Sequence, residues 1–521
     1  RGEDGNENEN ELVYTLDEER AVVRKFDRRL VLFVALLYLL SFLDRSNIGN
    51  AFVAGMNEDL LQGTDPLGAA QHRLAVNEDY YEWALTAFYI AYICFEWLSL
   101  LWTAIPAHVY ITFIVLSWGV VASLQAVVST YPALIRLRFL LGIGEAGFTG
   151  IPIYLSFFFK RDELALRTAV FISAAPLATT IASSLAWVIT KVGEQGPIAP
   201  WRLLFLIEGC PAVLVATIAW RIIPDSPEQA WYLSTRERKI ARQRLQSRGD
   251  SPQSQQHTIN DKAGKSSHSC LGALKRSCSN LSAVLLSPIP WTTAAIFFLA
   301  NVAYSSLPVF LPIILTQMGH SPVSAQALAA PPYLLAFFVV LAVAKLSDTL
   351  SARAVFIAAA ALASAVGYTF LALAHWMSGA MLRYMAIYPA GAGFFCVVVL
   401  TMAWNVNNAS AAVHKGGAFA LMQVIGQCGP LVGTRLYPAT DGPWFTRGMG
   451  VCAVCMYGVA GLALGLRWYL KRENGRMDRE EAGFDEEDGM DREEEAEGLV
   501  AGERGTRKRK AESRKGFRYM L

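Results

Sequence analysis

The sequence predicts an all-α polytopic membrane protein with twelve transmembrane helices in two six-helix halves. Three observations predict it. Hydrophobic residues make up 53% of the 521 positions against 17% charged, and mean hydropathy is +0.31, which places the chain among membrane-embedded proteins. Apolar runs of about 18 to 24 residues, long enough to cross a bilayer, recur along the chain. A polar stretch from Pro224 to about Ser282, rich in Ser, Gln, Lys and Arg, separates six of these runs from the other six.

In order, the spans fall near 30–50, 81–102, 107–128, 133–158, 167–190, 201–223, 286–307, 324–346, 354–375, 381–403, 416–437 and 446–470. The implied domains are an N-terminal tail (1–29), a first six-helix half (30–223), a linker (224–285), a second half (286–470) and a charged tail (471–521). Prolines interrupt spans 4 (Pro152), 5 (Pro176), 6 (Pro211), 8 (Pro331, Pro332), 10 (Pro389) and 11 (Pro430). Such breaks are tolerated where neighbouring helices or a watery cavity satisfy the freed backbone groups.

Orientation follows from the basic residues of the short loops. Arg20, Arg24, Lys25, Arg28 and Arg29 precede span 1, and Lys160, Arg161, Lys345, Arg353 and Lys415 fall in loops on the same side. The opposite loops hold only Arg73 and Lys191. Both termini are therefore expected in the cytoplasm of a multi-pass protein, with the plasma membrane as the expected site. No cleavable signal precedes span 1, so that span is expected to act as the targeting signal. The sequons at Asn280 and Asn408 lie on the wrong side for glycosylation in this topology. The tail is acidic from Glu480 to Glu497 and basic from Arg504 to Arg518, and is expected to be solvated and disordered.

Several function classes are excluded. A formal net charge of +2 gives no reason to expect a nucleic-acid partner. The eight cysteines fall mostly in apolar spans and imply no disulfide framework; Cys452 and Cys455 read as packing residues. No phosphate loop, metal-ligand cluster or nucleophile–base set stands out, so no enzyme activity, metal or cofactor is expected. His108, His320 and His375 read as ordinary interfacial residues.

Charge inside the spans is the functional signal. Away from the span ends it comprises Asp44, Arg45, Glu96, Arg136, Arg138, Glu145, Glu208 and Arg435. At about 1.5 Å per residue from Leu30, Asp44 and Arg45 sit roughly 20 Å into a hydrocarbon core about 30 Å thick. Ionisable groups at such depth face the bundle interior and mark pathways or structural ion pairs. Arg138, Gly142 and Glu145 share one helical face, with the glycine leaving room for another helix or a ligand.

An economical arrangement pairs Asp44 with Arg138. Arg45 is then free to hold an anion, and Glu145 has no fixed cation. Arginine suits a carboxylate because its planar fork gives two parallel hydrogen bonds. A desolvated, unpaired carboxyl can take up and release a proton near neutral pH. Importing a monoanion against about 100 mV costs about 2.3 kcal/mol, so one proton makes the step electroneutral and two let the potential drive it. Asp44 and Glu145 allow either.

Several stretches carry a resemblance: FDRRLVLFVALLYLLSFLDRSNIGNA (26–51), RFLLGIGEAGF (138–148), ELALRTAVFISAAPLA (163–178), WRLLFLIEGCPAVL (201–214), IPDSPEQA (223–230) and PPYLLAF (331–337). Over residues 26–470 the chain resembles the major facilitator superfamily, and within it the anion:cation symporters of the fungal allantoate and nicotinate permease-like branch. The resemblance implies two halves rocking about a central site. It implies Asp44 and Glu145 as protonation sites, Arg45 as the carboxylate ligand, Arg138 as the partner of Asp44 and Tyr92 as a substrate hydrogen-bonder. Gln423 and Gln427, four residues apart, are candidates either for the cavity wall or for packing.

Asp348 with Arg353 resembles the second-half gating motif. The matching first-half loop, LSLLWTAIPAHVY (98–110), has neither the Asp nor the Arg, so closure there is expected to rest on the second half and on packing. The expected function is proton-coupled symport of a small organic anion by a monomer in the lipid bilayer. Efflux of an acidic secondary metabolite is the alternative, and a non-transporting receptor for such a ligand a further one.

Overall fold

Thr15 starts the first helix with a reciprocal cap: its hydroxyl accepts from the Glu18 amide and the Glu18 carboxylate accepts from its own. This helix, α1 (Leu16–Phe26), is amphipathic and buries Val22, Val23 and Phe26. The computed structural model describes residues 14–64, 73–103, 105–193, 196–246, 285–376, 379–408, 412–495 and 519–520. Most of the linker, with the sequon at Asn280, and the tail from 496 to 518 lie outside them.

In the first half, α2 (Leu32–Ala51) is extended by the short α3 (Asn57–Thr64), and α4 (Arg73–Phe95) and α5 (Ala107–Leu124) follow. Then come α6 (Tyr131–Ala146) with the short α7 (Ile151–Leu155), α8 (Arg161–Gly193) and α9 (Pro200–Ile222). The linker contributes α10 (Thr235–Gln246), packed on α1. The second half comprises α11 (Pro288–Gln317), α12 (Pro322–Leu350), α13 (Arg353–Ala372), α14 (Ala380–Asn408), α15 (Ala412–Gly426) with the short α16 (Gly429–Gly433), and α17 (Thr446–Glu495). The described residues contain helices and no strands.

Twelve helical passes thus follow the predicted spans. Eight are long and apolar enough to cross a membrane as continuous helices: α5, α8, α9, α11, α12, α13, α14 and α17. The four others are irregular. Span 1 is flanked by π-helical turns at Asp27–Val31 and Phe52–Met56, and span 2 ends in a 3-10 segment, Glu96–Thr103. Span 4 passes through a 3-10 turn at Gly147–Gly150, and span 11 breaks between α15 and α16. These four carry Asp44, Arg45, Tyr92, Glu96, Arg138, Glu145, Gln423 and Gln427, as expected of backbone that is broken only where it borders a cavity.

The halves meet through α2 against α11, α8 against α12 and α14, and α4 against α16. Helices α5, α9, α13 and α17 lie at the periphery and turn large apolar side chains outward, among them Phe113, Leu214, Leu362 and Trp468. The acidic sequence expected as a disordered tail instead continues α17 to Glu495. Its Glu, Arg and Met content favours helix strongly enough to outlast the scattered glycines.

Candidate functional site

The site sits where the irregular spans converge. Tyr38, Ser41 and Arg45 lie at i, i+3 and i+7 on α2, so one face of the helix presents all three to a cavity between the halves. The first half adds Tyr89 and Tyr92 from α4 and Glu145 from α6; the second adds Asn301 and Tyr304 from α11 and Gln423 and Gln427 from span 11. Both glutamines therefore line the cavity.

The arrangement of charges departs from the expected one. Arg45 is not free: its Nη2 donates to Glu145 Oε2 at 2.6 Å, and Ser41 Oγ donates to the same oxygen at 3.0 Å. The guanidinium is bracketed by aromatic faces, with its carbon 4.9 Å from the Tyr92 ring centre and 5.1 Å from that of Phe88. Glu145 keeps its other oxygen, Oε1, buried without a partner, and Arg45 Nε likewise. Glu145 thus has a fixed cation, because one turn of α2 sets Ser41 and Arg45 together against the same Glu145 oxygen.

Asp44 and Arg138 form no ion pair among the described residues. Arg138 Nη1 instead reaches the Asp44 main-chain oxygen at 3.5 Å, leaving its Nε and Nη2, and Asp44 Oδ2, without partners. Both side chains are buried. They face away from the cavity toward α9, where the Phe205 ring centre lies 5.7 Å from the guanidinium carbon. Gly142 is explained by close helix packing: a Cβ there would collide with the Phe88 carbonyl oxygen of α4. The room left by the glycine is filled by a helix.

One end of the cavity is shut. There Gly49 abuts the Val309 carbonyl, Gln326 donates to the Asn50 carbonyl at 3.3 Å, and the Thr86 and Thr434 hydroxyls lie 3.4 Å apart. Arg435, 4.8 Å from the Trp83 ring centre, and the Tyr81–Phe310 edge contact add to this seal. In the other direction the lining continues to Pro152 and Met402, toward the end that holds α1 and α10.

At that end Asp348 and Arg353 bond each other, remote from the cavity. Arg353 Nε also meets Met520 Sδ at 2.9 Å, and Trp404 Nε1 donates to the Met520 carbonyl at 2.8 Å. In the first half His108 is not an ordinary interfacial residue. Its amide and Nδ1 both bond Asp225, at 3.0 and 2.8 Å, tying the loop without the Asp–Arg motif to the segment after α9.

Sequence reasoning also missed a charged network around α1. Glu19 bonds Lys160 at 2.5 Å and Arg244 at 3.3 Å, Arg244 also pairs with Glu163, and Arg167 grips Asp27 through both carboxylate oxygens. Tyr38, Ser41, Asn301 and Tyr304 were missed as well, although their i, i+3 spacing beside charged or proline-broken stretches was available as a signal. No group of three or more His, Cys, Asp or Glu among the described residues is placed to hold a metal.

A helical bundle with a polar, charged cavity between two halves, shut at one end, defines a membrane transporter. The chain belongs to the Major Facilitator Superfamily, whose family model matches residues 34–434. A fungal protein named MFS transporter prlL (Fungal sp., strain NRRL 50135) is 31% identical over 474 residues, with 89% of each chain covered. An Agrobacterium vitis protein named "Putative tartrate transporter" is 29% identical over 456 residues, covering 87% of this chain and 91% of its own. The solved structure of the proton:xylose symporter XylE bound to 6-bromo-6-deoxy-D-glucose matches with a TM-score of 0.61 at 14% identity, covering 82% of this chain and 94% of that one. At that identity the likeness carries the fold alone.

Proposed function

We propose that this transporter is a proton-coupled symporter of a small organic anion, of the anion:cation symporter type, working by alternating access with both termini in the cytoplasm. The observation that carries the reading is the Arg45–Glu145 bond on the cavity wall. A substrate carboxylate and Glu145 compete for one guanidinium. Protonation of Glu145 weakens its hold, releases Arg45 to make a two-point bond to the anion, and leaves the site with the same net charge. Proton and anion therefore bind with positive linkage: each raises the affinity for the other by the same factor. Gln423 and Gln427 supply neutral donors and acceptors around that anion, and the Tyr92 ring backs the guanidinium that holds it. The A. vitis relative named for tartrate, a dicarboxylate, is consistent with this class of ligand.

The test uses the full chain in proteoliposomes with tartrate as the first probe and a panel of other carboxylates behind it. The expected result is acidification of the lumen on adding the transported anion, and loss of binding in Arg45→Ala. Glu145→Gln keeps counterflow exchange and loses proton-driven accumulation. Uphill accumulation by Glu145→Gln overturns the role given to Glu145, and binding without flux by the wild type makes the protein a receptor.

A further inference from the structure

Behind the cavity wall lies a second set of buried charges that the Arg45–Glu145 pair does not use. Asp44 on α2, Arg138 on α6 and Glu208 on α9 are each nearly inaccessible, at 3%, 1% and 3% exposure. They share one neighbourhood. Arg138 touches the main chain of Asp44; the Phe205 ring, one turn before Glu208 on the same face of α9, lies against the Arg138 guanidinium; and Glu208 interacts electrostatically with both Asp44 and Arg138. Asn47, fully buried and one turn after Asp44, borders Glu208. Among the described residues Oδ2 of Asp44 and Nε and Nη2 of Arg138 lack a hydrogen-bond partner, and the Asn47 amide is the hydrogen-bonding neighbour of Glu208. None of these four residues lines the cavity.

Charge balance decides what this set can do. Glu145 is neutralised by Arg45. That leaves two carboxyls, Asp44 and Glu208, facing one cation, Arg138, and with both ionised the set would carry an uncompensated buried negative charge, which low-dielectric surroundings penalise heavily. Among the described residues no other cation is packed around Glu208. Helix α5 has as titratable side chains only His108 and Tyr110, at its far start, and the turn Phe52–Met56 has none. Helix α8 has Lys191 at one end, over Trp187, and at its other end Glu163 and Arg167, which pair with Arg244 and Asp27. Tyr81 and Tyr89 face Arg138, and Glu145 faces Asp44, without adding a cation.

We infer that Glu208 is a further proton-coupling residue: Asp44 and Glu208 hold a single proton between them, with Arg138 neutralising whichever is ionised. The two acids titrate as a pair, so the proton belongs to neither alone. This second proton, beside the one taken up by Glu145, occupies a site separated from the anion site by the thickness of α2, with the adjacent residues Asp44 and Arg45 linking the two. This rests on the proton-coupled reading above and adds to its proton-binding side a residue and one proton beside the one on Glu145.

Infrared titration of the full-length protein in lipid, with no substrate, reads protonated buried carboxyls directly. Glu96, a further buried carboxyl whose oxygens have no partner among the described residues, is replaced by Gln in every sample, and the otherwise wild-type protein is expected to show a buried carboxyl carbonyl band that disappears once as pH is raised. In Glu208→Gln that titration is lost although Asp44 is untouched, because Arg138 then holds Asp44 ionised; Asp44→Asn loses the same step. Glu208→Asp, which keeps the acid, retains the step at a shifted pH and guards against a misfolded Gln variant. A wild-type step surviving in Glu208→Gln, a step lost in Asp44→Asn alone, or no titrating buried carboxyl in the wild type overturns the inference. Anion-driven proton uptake by the wild type is measured alongside: its absence with every carboxylate tried counts against the proposed function, and the infrared arm still judges Glu208.

Discussion

Arg45 bonds Glu145 on the cavity side of α2, while Asp44, one residue earlier, turns toward Arg138 and α9. Adjacent helical residues point about 100° apart, so one step along the chain divides two charge systems. On one side a cation is held by a carboxylate that a ligand can replace. On the other, two acids share one cation, away from the ligand. Movement of α2 at this level would act on both systems together, so the proposed competition at Arg45 and the charge set behind it are mechanically linked through one helix.

Removing one member of the wall pair should be costly. Arg45→Ala leaves Glu145 buried without its cation, and breaking a buried pair in this way costs about 3–5 kcal/mol. Arg45→Ala/Glu145→Gln removes both charges and should recover a large part of that loss. Thermal unfolding of the two variants in detergent checks this: equal melting temperatures for the single and double variants would mean that the ion pair contributes nothing to holding α2 against α6.

Gly142 should tolerate no side chain. A Cβ there collides with the Phe88 carbonyl oxygen, which is backbone and cannot swing aside. Gly142→Ala is expected to destabilise by about 1–3 kcal/mol, as overpacking does, and to disturb Tyr92 one turn beyond Phe88. A melting temperature and a substrate affinity both unchanged would contradict the close α4–α6 approach.

The twelve passes were legible because hydrophobic run length reports membrane crossing directly, and the buried charges were legible because lipid tolerates so few. Their pairing was not. Asp44, Arg45, Arg138 and Glu145 admit several pairings of acid with base, and the choice depends on how α6 is turned, which its backbone contact with α4 at Gly142 and Phe88 helps to fix and no spacing rule contains. The second-half contribution of Asn301 and Tyr304 was hidden for the same reason: the facing of α11 is fixed by contacts such as Gly49 against Val309. The cluster around Glu19 and Arg244 joins residues more than two hundred positions apart, beyond any local pattern.

Tyr92 should act mainly through its ring. The Arg45 guanidinium carbon sits 4.9 Å from the ring centre, and a cation–π contact of this kind is worth about 0.5–2 kcal/mol. Tyr92→Phe keeps that face and should retain most of the wild-type affinity, whereas Tyr92→Ala should raise KM roughly 2- to 30-fold, the same range converted at 1.4 kcal/mol per factor of ten. Equal, large losses in both variants would assign the effect to the hydroxyl and to a direct hydrogen bond with substrate.

The docking of α1 should fail in acid. Burial pushes the Glu19 carboxyl up, but bonds and charge from Lys160 and Arg244 outweigh it and hold the group below the ordinary glutamate value. A carboxyl depressed in the folded state contributes stability that is fully present above its unfolded pKa and is lost as pH falls through the folded one. Glu237, drawn down in the same direction by Lys25 and the Ser234 amide despite its own partial burial, adds to the effect between α1 and α10. Amide hydrogen exchange of residues 16–26 should therefore be slow and pH-insensitive in protection near neutrality, and protection should collapse below the normal glutamate range. Lys160→Met should move the collapse to higher pH, because Glu19 then titrates closer to its ordinary value. Protection of α1 that persists unchanged through that range would show that Phe26 packing on Phe158 and Phe159, rather than the ion network, holds the helix in place.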